Sequence, residues 1–80
     1  MDKFYPDFND KFEVRVSDAE TAANAAQQGY ALLEEVGDDL RPSARRKLEA
    51  AVTRLEEAMA SFEEDPWGPP IIVKVTLTQK

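Results

Sequence analysis

The chain reads as an α+β fold of order strand, helix, helix, strand: two helices packed on one face of a small antiparallel sheet, which dimerisation completes. Three observations carry that expectation. Ile71, Val73, Val75 and Leu77 alternate with Ile72, Lys74, Thr76 and Thr78 near one end, and Phe12, Val14 and Val16 alternate with Lys11, Glu13 and Arg15 near the other. A period of two marks a strand with one buried and one wet face. Between these strands, apolar residues recur every three or four positions over two stretches, the pattern of amphipathic helices. A lone pair of strands is marginal in water, so a second copy is expected to finish the sheet.

Taken in order, residues 1–10 form an arm in which Phe4, Tyr5 and Phe8 stand among Asp2, Asp7 and Asp10. Its aromatics either cover one end of the core or serve for docking, since exposed aromatic clusters are uncommon. The first strand follows at Phe12–Val16. Ser17-Asp18-Ala19-Glu20 fits a capping box, with Ser17 as the cap and Glu20 reaching back to it. Helix one then runs from about Asp18 to Val36 and turns Ala19, Ala22, Ala23, Ala26, Tyr30, Leu33 and Val36 inward. Gly37 is placed to end it in the left-handed region that glycine enters freely.

Asp38-Asp39-Leu40-Arg41 connects to helix two, which starts at Pro42 or one residue on, with Ser43 as a competing cap. Ala44, Leu48, Ala51, Val52, Leu55, Met59 and Phe62 give it a clean apolar stripe to about Glu64. Asp65 precedes Pro66 and is biased away from helix. Asp65-Pro66-Trp67-Gly68-Pro69-Pro70 is a stiff connector, in which Trp67 is expected to cap the open end of the core.

Eighty residues make one domain, 1–80. The chain has no cysteine and no histidine, so disulfides, thiolate metal sites and the usual general base and zinc ligand are missing. Its net charge of −6 opposes general binding to nucleic acid or to anionic membranes. No apolar run approaches the roughly 18 residues of a bilayer span, and Met1–Pro6 lacks an apolar signal core. A cytoplasmic location is expected.

Catalytic and cofactor motifs do not assemble. Gly29, Gly37 and Gly68 form no phosphate loop. Asp38, Asp39 and Glu49 are not a calcium loop, because Leu40 and Pro42 stand where oxygen ligands are needed. The pairs Glu34-Glu35, Glu56-Glu57 and Glu63-Glu64 are helical neighbours about 100° apart and do not converge on one point. No histidine activates Ser17, Ser43 or Ser61. The expectation is a protein that is not an enzyme and takes no metal or cofactor.

Interaction surfaces are more legible. Glu56, Glu57, Glu63, Glu64 and Asp65 concentrate acid at the end of helix two, where it opposes the helix dipole. A local preference violated in this way marks either a solvated acidic helix end or a functional surface, and on the second reading these residues are the candidate partner-binding surface. Charge is absent from Thr21 to Leu33, and Ala25, Gln28 and Leu32 form a second stripe there. Charge depletion marks interface centres, so these residues, with Lys74 and Thr76 on the edge of the last strand, are the candidate dimer interface. Arg41, Arg45, Arg46, Lys47 and Arg54 stand against Glu49 alone. They either pair with nearby carboxylates or, at Arg41, Arg45 and Arg46, contact phosphate or an acidic partner.

Two stretches resemble known families. Phe12–Val16, the helix, the glycine turn and Ser43-Ala44-Arg45-Arg46 resemble ribbon-helix-helix DNA-binding regulators. That resemblance implies a dimer whose paired strands set Lys11, Glu13 and Arg15 in the major groove. The chain departs from the family in its longer first helix, in an acid at the ribbon centre and in a further strand. Leu32 to Asp65, with Leu33, Gly37, Leu40, Leu48-Glu49-Ala50-Ala51, Leu55 and Met59, is similar to a helical hairpin in the lid of seventy-kilodalton heat-shock chaperones. The chaperone domains themselves are missing.

The function expected from these features is a small acidic protein-binding module. It would be an inhibitor, of the kind phages and mobile elements encode, that blocks a basic nucleic-acid-binding surface of a larger complex. Anti-CRISPR-type inhibitors share its size and charge. The alternatives are a dimeric ribbon-helix-helix-like DNA-binding regulator and a structural subunit or designed scaffold.

Overall fold

Alternation at the two ends of the chain yields two strands, β1 (Lys11–Val16) and β2 (Ile71–Thr76), in a computed structural model that describes residues 11–79. The N-terminal arm lies outside the described residues. The strands pair antiparallel, with Phe12 opposite Val75, Val14 opposite Val73 and Val16 opposite Ile71. This register places the apolar members of both strands on one face. Glu13 opposite Lys74 and Arg15 opposite Ile72 occupy the other. Helices α1 (Ala19–Val36) and α2 (Pro42–Glu64) form an antiparallel hairpin over the apolar face.

Helix α1 is capped one residue later than the sequence predicts. Asp18, not Ser17, is the cap. Its carboxylate accepts from the Thr21 amide at 2.8 Å, and the Thr21 hydroxyl accepts from the Asp18 amide at 3.1 Å. Thr21 thus does the work expected of Glu20, because it stands at the third helical position counted from the true cap. The Thr21 amide, followed by its hydroxyl, holds the Asp18 carboxyl below its ordinary 3.8.

Gly37 does not turn left-handed. With φ −56° and ψ −37° it stays right-handed and opens a short 3₁₀ turn, Gly37–Asp39, that ends at Leu40. Pro42 occupies the first turn of α2, where it forfeits no helical hydrogen bond. Leu40, read in sequence as part of a connector, is a core residue. It bridges to Gln79, and the Arg41 amide donates to the Thr78 carbonyl at 2.9 Å. The inter-helix loop is therefore clipped to the chain that follows β2.

The largest fully enclosed side chains are Leu40, Leu48, Leu55, Leu77 and Val16. They come from β1, the loop, α2 and the chain just after β2, and α1 joins the same core through Ala22, Ala25, Ala26 and Val36. Among the described residues it contains no buried polar or charged side chain. Helix α1 contributes small residues, Ala22, Ala25, Ala26 and Gly29, and these bring it close to α2. Ala25, expected on the outer stripe, is a core residue because α1 is rotated toward its Ala25–Gly29 side. Tyr30, expected inward, is correspondingly 49% exposed.

Gly29 sets the closest approach. A Cβ built there would lie 2.5 Å from Val52 Cγ2, inside any tolerable contact. Gly29→Ala is therefore expected to destabilise the fold by about 1–3 kcal/mol through overpacking, although alanine is the better helix former by about 1 kcal/mol. Adding Val52→Ala should recover part of that loss in a double-mutant cycle read by chemical denaturation. Strict additivity of the two substitutions would show that the helices do not meet there.

Candidate acidic docking site

The second half of α2 gathers the acid. Residues seven apart on an α-helix lie within roughly 20° of each other, so Glu56 and Glu63 form one row and Glu57 and Glu64 a second. All four are exposed, and Ala60 between them leaves a low floor. Sequence reasoning excluded these carboxylates as a converging catalytic pair. The same geometry makes them a broad one-sided acidic face.

Asp65 caps this helix end, its amide donating to the Ser61 carbonyl at 2.8 Å. Its carboxylate accepts from the Trp67 amide at 3.2 Å, and its carbonyl accepts from Gly68 at 3.1 Å. This tight turn, followed by Pro69 and Pro70, throws Trp67 outward. The indole does not cap the core. It is 92% exposed, whereas Phe62 of α2 is buried. The chain's one tryptophan therefore projects into water, two residues after the run Glu63, Glu64 and Asp65 that ends α2. The composition of the connector gave no sign of this, because tryptophan in a proline-rich segment is equally compatible with packing inward.

One carboxylate of the face is tied to α1. The Tyr30 hydroxyl donates to Glu56 Oε2 at 2.6 Å. That hydrogen bond, then desolvation and the Glu56 charge, raises the phenol above its ordinary 10.0. It also fixes the acidic face relative to the hairpin.

The basic half of α2 is partly spent internally. Arg45 reaches Asp38 at 3.3 Å and Glu49 at 3.5 Å. Arg41 gives its Nε to the Gln79 carbonyl at 3.3 Å. Arg46 is exposed beside them. Of the proposed dimer residues, Gln28 is exposed and Leu32 half-buried on α1, and Lys74 and Thr76 are exposed on β2. Lys11, Glu13 and Arg15 share the outward sheet face, and one edge of β1 is already taken by β2 of the same chain. Among the described residues no group of three metal-ligating side chains forms, and no helix is long and apolar enough to cross a membrane.

The chain matches no protein-family model, no curated protein and no solved structure.

Two measurements check the site. Trp67 should emit as a solvated indole and, at low salt, be quenched more by caesium than by iodide, since the neighbouring carboxylates attract the cation. Glu63→Lys with Glu64→Lys should reverse that preference; an emission already shifted to the blue in the free chain would refute the exposed placement. For Tyr30, the folded phenol lies above its unfolded value. Its contribution to stability is therefore present below pH 10.0 and lost as pH rises through the folded value. In a Tyr5→Phe background, the remaining phenol should titrate later in the folded chain than after denaturation, and Glu56→Gln should reduce that delay.

Proposed function

We propose that this chain is a small non-catalytic protein-binding module that occupies a basic surface of a larger complex. Glu56, Glu57, Glu63, Glu64 and Asp65 supply the complementary charge, and Trp67 supplies the anchor. The observation that carries this reading is the 92% exposure of Trp67, two residues after the run of acids that ends α2. A free tryptophan costs solubility, and tryptophan is among the residues that dominate protein–protein binding energy. Acids at the negative end of a helix dipole cost stability as well. Both costs are offset if a cationic partner covers them.

A basic surface that binds nucleic acid suits this arrangement, because exposed carboxylates can stand where phosphates would. The module would then inhibit by occupation, without chemistry of its own. Charge supplies fast encounter and salt sensitivity, and the indole supplies persistence.

The test uses the full chain as bait on its source lysate, with Trp67 emission as a second readout on the captured partner. Capture should fall steeply with added salt. Trp67→Ala should weaken it by about 2 kcal/mol or more, near thirtyfold, and Glu63→Lys with Glu64→Lys should abolish it. Emission should shift to the blue on binding. Salt-insensitive capture that survives all three substitutions would refute the reading.

A further inference from the structure

A second surface is built on the opposite charge. A groove of about 450 Å³ runs between α2 and β2, lined by Lys47, Ala50, Ala51 and Arg54 from the helix and by the four consecutive strand residues Ile72–Val75. Consecutive strand residues point to opposite faces of a sheet. A groove that touches four in a row must therefore lie beside the strand's backbone, at its edge. The sheet has the order β1-β2, so the other edge of β2 is the one held by β1. The groove wall is the edge of β2 that no strand among the described residues pairs.

Its chemistry is selective. Three of the eight lining residues, Lys47, Arg54 and Lys74, are cationic, and the others are apolar. None is acidic, in a chain with 16 acids and 10 bases. At its Ile71 end a neighbouring hollow, which shares Ala50 and Arg54, adds Glu57 and Ser61 and closes the cationic stretch. Ile72, 63% exposed, stands at the rim as an unpartnered apolar contact.

From this placement we propose that the α2–β2 groove is a strand-addition site for an extended, acidic polypeptide segment of another protein. The added strand would pair its main chain with this edge of β2, which no strand among the described residues takes, as in edge augmentation generally. Side chains on one of its faces would pack on Ala50 and Ala51, which leave room for them. Carboxylates would meet Lys74, Lys47 and Arg54. A second copy of this chain is a poor occupant, because β2–β2 pairing would crowd the same three cations from both copies along one seam, and like charges across a ladder are destabilising. Single-stranded nucleic acid gains no main-chain pairing from the edge and meets a chain of net charge −6.

The test adds a labelled peptide of alternating glutamate and valine to the full chain, with a lysine–valine peptide and a single-stranded oligonucleotide as competitors. The acidic peptide should bind and should slow amide exchange in Ile72–Val75. Arg54→Glu and Lys74→Glu, each checked for retained helix content, should each weaken binding by about tenfold. Equal binding of the lysine–valine peptide or the oligonucleotide would overturn the proposal. So would binding that leaves β2 exchange unchanged or is indifferent to both substitutions. Self-association that protects the same amides without peptide would assign the groove to a second copy instead. Trp67→Ala should leave peptide binding intact, so failure here and failure at the acidic face are distinguishable.

Discussion

The fold depends on burying one face of a two-stranded ribbon beneath a helical hairpin. Neither part is stable alone. A ribbon of two strands is marginal in water, and helices of this composition draw their stability chiefly from packing. Val16, Leu77, Leu48 and Leu55 belong to opposite layers and are all fully enclosed, so each layer is ordered by the other. The loop enters the same core through Leu40. With a core this small, removing a single leucine costs about 2–5 kcal/mol, against a total of about 5–15 kcal/mol for a typical domain.

Burying one face of the ribbon leaves its edges and its outer face to be managed by charge. Glu13 opposite Lys74 keeps the outer face polar, and Ile72 opposite Arg15 interrupts it. Along α2 the signs separate. Cations lie at the loop end and toward β2, and carboxylates lie toward the C-terminus, where Glu57 lines a hollow together with Arg54 and Ile71. The loop-end arginines find partners in Asp38, Glu49 and the Gln79 carbonyl. The carboxylates of Glu63 and Glu64 sit at the wrong pole of the helix for stability. One helix thus carries two regions of opposite charge that meet at Arg54 and Glu57.

The sequence made the architecture legible because period-two and helical periods are strong signals over these lengths. Strand faces, the start of α2 at Pro42 and its end at Glu64 all follow from local patterning. What escaped was rotation and close packing. Six alanines and a glycine along α1 gave no unique stripe, so Tyr30 and Ala25 exchanged roles, and Gly29 was not marked as the contact with Val52. Leu40 escaped because its burial depends on the chain after β2, some forty residues away in sequence. Gly37 was read as a left-handed stop, yet a 3₁₀ turn satisfied the helix end without one. At the candidate site, the acidic residues were visible in the sequence, but their union with an exposed Trp67 was not. That union depends on how Asp65 hydrogen-bonds the turn.

A thin fold with a sheet edge that no strand among the described residues pairs ties binding to stability. Any ligand that binds only the folded chain adds stability by mass action, about 2.7 kcal/mol at a hundred times its dissociation constant. For a domain with little margin that is a large fraction of the whole. A strand added to β2 would give the ribbon a third member beside Val73 and Val75, which the chain itself already buries. A partner on the acidic face adds stability by the same mass action, but Glu63, Glu64 and Trp67 are exposed and its contacts order no part of the core. Either occupant should slow the exchange that goes through global unfolding, and each should also slow local opening where it sits, at Ile72–Val75 for the groove and at the helix end and the turn at Asp65 for the acidic face. The local difference follows from where each surface lies on the fold.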